Sequence, residues 1–195
     1  VRYRKRRPGR SPDEVASRGA FQPYFPDAQW VGDGSAIYVV FEGHRFDFNF
    51  ELIADCYSDG FLGMAITDTE DSEAVISAFQ DAEQTTETNP IAFLLDNRGS
   101  NHTEQVDEAL GSTLRMRSTL GRPQSKAHVE GAFGLMEQGL PPIVLPSGPP
   151  REQARWLAGL VLQAFLRGLN HRPRRDRGGR SRADLHQDRY TPEQV

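Results

Sequence analysis

Three acidic residues stand out for where they fall: Asp33, Asp96 and Glu130. Asp96 ends the apolar run Ile91-Ala92-Phe93-Leu94-Leu95, which Pro90 precedes and the turn signal Asn97-Arg98-Gly99-Ser100 follows. A short apolar run bounded in this way reads as a strand buried on both faces. Ligands of α/β sheets sit at the carboxyl ends of the strands. Asp33 lies between Gly32 and Gly34 inside a β-rich run. Strands disfavour Asp, and a local rule broken inside an element marks a site. If the first strand is central and parallel to the one ending at Asp96, the two carboxylates share one end of the sheet. Glu130 lies on a helical stretch with Lys126 one turn earlier on the same face. That helix, packed across the same sheet end, would bring Glu130 onto the aspartates.

Three convergent carboxylates cannot stay charged together without cations. Hard oxygen ligands with open positions suit Mg²⁺ or Mn²⁺. Two such ions about 3.5–4 Å apart can clamp the attacking and leaving oxygens of a phosphoryl displacement, with no His, Ser or Cys nucleophile. Each residue also has an ordinary reading. Asp96 could cap a helix, Asp33 could be a turn residue, and Glu130 and Lys126 could be helix-surface charges. Asp55 competes for the site but reads as a turn-forming residue beside Tyr57-Ser58.

The elements that must position these groups follow in order. Gln29–Phe41 is β-rich, Phe46–Ala54 alternates apolar and polar residues, and Phe61–Ile66 is a third strand. The three suggest an antiparallel meander. Between Asp68 and Glu87 the apolar residues Ala74, Val75, Ala78, Phe79 and Ala82 switch to helical period. The strand ending at Asp96 comes next, then a short helix near Thr103–Leu110, a fifth strand over Leu114–Ser118, and a helix over Gln124–Met136. A last amphipathic helix spans Arg151–Leu169, introduced by Pro149-Pro150 as helix starts prefer. Its expected buried stripe is Trp156, Leu157, Leu160, Val161, Ala164 and Phe165. Antiparallel strands feeding βαβ units give an α/β fold, an RNase H-like mixed five-stranded sheet flanked by helices.

The expected divisions are a basic arm over residues 1–20, a core over 21–138, a Pro/Gly linker over 139–150, the C-terminal helix of the core over 151–170 and an Arg-rich, loop-like tail over 171–195. Charge is uneven across them. The net charge is -4, yet residues 1–20 hold seven Arg/Lys against two acids and residues 167–195 hold eight against four. The middle, 21–166, keeps 8 basic and 21 acidic residues. Basic arms suit a polyanion, or else are solubilising tails. A single cysteine, Cys56, excludes a disulfide framework, and the five histidines show no zinc spacing. There is no apolar run of membrane-spanning length and no secretory signal. A start at Val1 without Met reads as a piece cut from a longer protein.

Several blocks together resemble a known family. They are Trp30-Val31-Gly32-Asp33-Gly34, Ile53-Ala54-Asp55-Cys56-Tyr57-Ser58-Asp59-Gly60, Asp96-Asn97-Arg98-Gly99, Lys126-Ala127-His128-Val129-Glu130-Gly131 and Leu169-Asn170-His171-Arg172-Pro173. In this order, with 33 residues between Asp96 and Glu130, they look like the DDE transposase/retroviral-integrase catalytic core, in the style of Mu-like and integrase-core transposases of bacterial mobile elements. The chain departs from that pattern at Arg98, where Gly is usual, and at Gly131, where a basic residue is usual.

The resemblance implies a polynucleotidyl transferase that nicks DNA and transfers strands, with Asp33, Asp96 and Glu130 holding two Mg²⁺ or Mn²⁺ ions. It further implies DNA contacts from Lys126, Asn97, Arg122 and Arg172. The partners would be element ends and target DNA, bound by a homo-multimer in the bacterial cytoplasm at the nucleoid, with end-recognition helices preceding Val1. A nuclease that cuts without joining, or an inactive DNA-binding remnant, are the alternatives.

Overall fold

A computed structural model describes residues 23, 25–41, 43–117, 144–145 and 149–188. The helix expected over Gln124–Met136, and with it Arg122, Lys126 and Glu130, lies outside these residues.

The strands are β1 (Gln29–Phe41), β2 (His44–Asp55), β3 (Phe61–Thr67), β4 (Ala92–Leu95) and β5 (Leu114–Arg117), in the sheet order β3-β2-β1-β4-β5. β1, β2 and β3 pair antiparallel, whereas β4 lies parallel to β1 and β5 parallel to β4. The meander and the mixed sheet are therefore as expected. A two-residue strand, β6 (Val144–Leu145), extends the sheet by pairing parallel with Val40 and Phe41. It comes from the stretch read as linker. β1 is 13 residues long and β4 only 4, so the far half of that edge of β1 would otherwise present unpaired backbone groups.

Helix α1 (Ser72–Thr86) crosses one face, α2 (Glu104–Leu110) joins it there, and α3 (Pro150–His171) covers the other; α4 (Arg182–His186) closes the described chain. Strand alternation sorts the core accordingly. Trp30, Ile53, Phe93 and Leu95 pack with Val75, Ala78 and Phe79 of α1. Val31, Leu52, Ala54 and Leu94 pack with Leu162, Leu166 and Leu169 of α3. β4 is buried along its whole length, as a strand covered on both faces must be. α1 starts at Asp71, whose carboxylate accepts from the Ala74 amide at 3.0 Å, and stops at Glu87 in the left-handed region at φ 55.

Two expectations need correction. The buried side of α3 is Ala154, Ala158, Leu162, Leu166 and Leu169, whereas Trp156 and Leu160 are exposed. The helix is apolar on more than one side, so its period alone did not select a face. The small alanines let it approach the β1–β2 surface at Phe41 and Phe48. The tail is also not loop-like as far as residue 188. Arg174 pairs with Asp59, the Tyr57 hydroxyl donates to Asp188 at 2.8 Å, and Leu185 is buried. Several tail arginines thus serve the fold itself.

Candidate active site at the end of the parallel strands

Asp33 is the fifth residue of β1 and Asp96 follows the last residue of β4. The parallel register pairs Gln29 with Ala92, Trp30 with Phe93 and Val31 with Leu94. Asp33 and Asp96 each lie two residues beyond the last of these pairs, at the same end of the sheet. Asp33 pairs with Leu52 on the face that α3 covers, whereas Asp96 lies one residue past the end of β4. β1 keeps its strand pairing to β2 through Asp33 and Gly34, so the irregular composition there does not break the element. Gly34 has a separate role. A Cβ on it would stand 3.2 Å from Glu70 Oε1 and 3.3 Å from Asn49 Oδ1, and would also collide with the Glu51 carboxylate. The strand is bare here because polar side chains lie across it.

Asp96 is neither a helix cap nor a loose surface acid. Thr103 caps α2, its hydroxyl accepting from the Val106 amide at 3.3 Å. Asp96 Oδ1 accepts from the Arg98 amide at 3.0 Å and from the Asn101 side chain. Its Oδ2 faces Arg98 Nε at 3.1 Å, and the Arg98 Nη1 end meets Glu70. His102 fixes the backbone: its Nε2 lies 2.7 Å from the Asp96 carbonyl. Burial pushes the His102 imidazole below its ordinary value, and Arg117 and Arg115 add to this against the pull of Asp96. A ring held neutral donates its Nε2–H to that carbonyl. The turn after β4 is therefore built to aim one carboxylate.

Asn97 is exposed next to Asp96. Arg172 is exposed at the end of α3, where its amide donates to the Leu169 carbonyl at 3.3 Å. It lies near the start of β3, where the Asn170 side chain bonds both backbone groups of Phe61 at 2.8 and 2.9 Å. β3 is separated from β4 by β2 and β1.

Asp55 behaves as the turn residue expected of it. Its Oδ2 accepts from the Ser58 amide at 2.8 Å and the Ser58 hydroxyl at 2.7 Å. It also joins a cluster that sequence reasoning missed: Asp27, Asp55 and His186 offer ligand atoms within 4.8 Å of one another. Asp27 Oδ1 accepts from Trp30 Nε1 at 2.8 Å and lies 3.0 Å from His186 Nε2, and the Asp27 amide donates to Asp55 Oδ1 at 3.0 Å. Burial raises both carboxyls. Around Asp27 the donors His186, Trp30 and Thr88 outweigh it and hold the group below its ordinary range, while Asp55 stays above. The cluster joins residues 28 and 131 positions away from Asp27 and Asp55 respectively, a clasp no local motif announces. It sits at the start of β4, where the Ile91 amide donates to the Asp27 carbonyl, and so at the opposite end of that strand from Asp96.

The donor set at the Asp33–Asp96 end consists of carboxylate oxygens, which fits a hard divalent ion. Among the described residues no helix is long and apolar enough to cross a membrane.

No family model matches the chain. No curated protein matches it either. Solved structures do. A chain of the simian T-cell lymphotropic virus intasome superposes with a TM-score of 0.63 at 17% identity, over 88% of this chain; the present chain spans only 58% of it. The HTLV-2 integrase catalytic core domain, solved in complex with magnesium, gives a TM-score of 0.57 at 19% identity, over 84% of this chain and 98% of that one. The catalytic core domain of BIV integrase gives 0.56 at 14% identity, over 82% and 93%. Sheet order, mixed pairing and flanking helices agree with these neighbours: the chain has the RNase H-like fold of a retroviral integrase catalytic core.

Proposed function

We propose that this chain is the catalytic domain of a transposase or integrase of a bacterial mobile element, nicking DNA and transferring the freed strand to a target. The observation that supports the reading is the parallel β1–β4 register, beyond whose last pair, Val31 with Leu94, Asp33 and Asp96 both follow by two residues. The fold shared with integrase cores supports it, one of them solved with magnesium. Asp33 and Asp96, with Glu130 as third ligand, are the residues that would hold a pair of Mg²⁺ or Mn²⁺ ions. Such ions polarise the phosphodiester and stabilise the entering and leaving oxygens.

The protein's own part is positioning. The Arg98 amide and the Asn101 side chain hold Asp96 through Oδ1, the Arg98 guanidinium faces Oδ2, and His102 holds its backbone. Burial of β4 on both faces keeps the strand end from shifting. Lys126, Asn97, Arg122 and Arg172 contact DNA phosphates in this reading, so binding weakens steeply with salt. Element ends are brought together by a homo-multimer.

The test is a pair of assays on Asp33→Asn and Asp96→Asn. Both variants lose nicking and joining of pre-nicked ends while DNA binding persists. A protein that nicks but never joins is an RNase H-like nuclease. DNA-dependent behaviour untouched by both changes identifies a non-catalytic DNA-binding protein and refutes the proposal.

A further inference from the structure

We propose that Arg98 is an internal counter-cation of the candidate site, holding Asp96 until a divalent ion displaces it. The inference rests on reading Asp33 and Asp96 as metal ligands. Both oxygens of Asp96 are engaged, but unequally. Oδ1 is bonded to the Arg98 amide and the Asn101 side chain, contacts within its own turn that set the carboxylate's orientation. Oδ2 faces the Arg98 guanidinium at 3.1 Å, a contact that rotation of the exposed Arg98 side chain removes.

The other end of the guanidinium meets Glu70, from the loop leading into α1. Glu70 Oε1 in turn lies across the backbone of Gly34, the neighbour of Asp33. The guanidinium therefore spans from Glu70, on the α1 face of β1 beside Gly34, to Asp96. Arginine does not deprotonate in proteins, so this charge is permanent. An incoming divalent ion must displace it or bear its repulsion. The Arg98 side chain is 49% exposed, and an ion pair this open is weak enough to yield.

Once released, the guanidinium remains tethered within a side chain's length of the site. Its planar fork suits the oxygens of a phosphate. Arg98 thus acts as a positioning residue that exchanges one anion, Asp96, for another, the DNA backbone. Divalent ion and phosphate then favour one another's binding, because each gains from the movement the other requires.

The experiment is Mn²⁺ binding to the whole chain without DNA, followed by calorimetry, for wild type, Arg98→Ala, Arg98→Lys and Asp96→Asn. Removing the charge tightens Mn²⁺ binding by about tenfold, while Arg98→Lys, which keeps the charge, stays within about threefold of wild type. Unchanged or weakened binding in Arg98→Ala, with binding lost in Asp96→Asn, overturns the counter-cation and leaves the site standing. Wild-type binding in Asp96→Asn overturns the site itself. A readout on unaltered protein guards against a variant that does not fold: the Arg98 Nε–H resonance shifts with saturable Mg²⁺ addition. A resonance that stays fixed as Mg²⁺ saturates the protein refutes the exchange.

Discussion

Gly63 on β3 is where α1 comes closest to the sheet. A Cβ there would stand 2.7 Å from Ala82 Cα and closer still to the Ala82 amide nitrogen and the Ala78 carbonyl. All three are backbone atoms of α1, so no rotamer change relieves the overlap. Ordinary contact begins near 3.4 Å, so Gly63→Ala must lift the helix by about 1 Å. Beneath it lie Ala74, Val75, Ala78, Phe79 and Ala82, none more than 1% exposed. A radial gap of about 1 Å forfeits up to roughly half the dispersion well for each atom pair that separates. Overpacking of this kind costs about 2–3 kcal/mol. For a chain of this length that lowers the melting temperature by about 4–12 °C.

Gly159→Ala on α3 is the matched control, because among the described residues its Cβ would meet Ile66 Cδ1 at 3.9 Å, an ordinary contact. There the helix gains about 0.5–1 kcal/mol from the loss of glycine's freedom. Calorimetric melts of the two variants should move in opposite directions from wild type. Melting of Gly63→Ala within about 2 °C of wild type would show that α1 does not rest on Gly63, and the account of that layer would fail.

Other outcomes follow from single residues. Because Asp27 is held below its ordinary value, its stabilising contribution is complete above the unfolded carboxylate pKa of about 4 and is lost as pH falls through the lower folded value. Asp27→Asn should therefore melt well below wild type at pH 6, with the gap narrowing as pH falls below about 4; a gap constant in pH refutes the coupling. Burial, with Asp55 and Asp59 adding, pushes the Cys56 thiol up to about 12. At pH 8 its labelling by a disulfide reagent should be on the order of a thousandfold slower in native than in urea-unfolded protein, and equal rates would contradict this. Trp30 is fully buried and Trp156 is 64% exposed. Acrylamide should quench one emission component strongly, and Trp156→Phe should remove that component.

The sheet was legible because its strands differ in kind. β2 alternates in residue type yet has its last eight residues all buried, so its strand period was legible and its burial was not, whereas β4 is a short unbroken apolar run and is buried throughout. Asp96 was legible for the same reason, as the charge that ends a run buried on both faces. Arg98 was visible only as a departure from a pattern; its reach to Glu70 depends on a loop conformation that no local rule encodes. The face of α3 was misread because Trp156 and Leu160 look like core residues by type, while the packed positions are alanines chosen for close approach. The docking of the tail was not legible at all. It depends on pairs such as Arg174 with Asp59, 115 residues apart, and the His186 contact to Asp27, 159 residues apart.

That clasp pins two distant parts of the described chain to each other. His186 touches Asp27, so the chain just before β1 and the end of α4 meet at one corner, beside the beginning of β4. The carboxylate pair occupies the other extremity of that strand, roughly 13 Å away at the usual rise per residue.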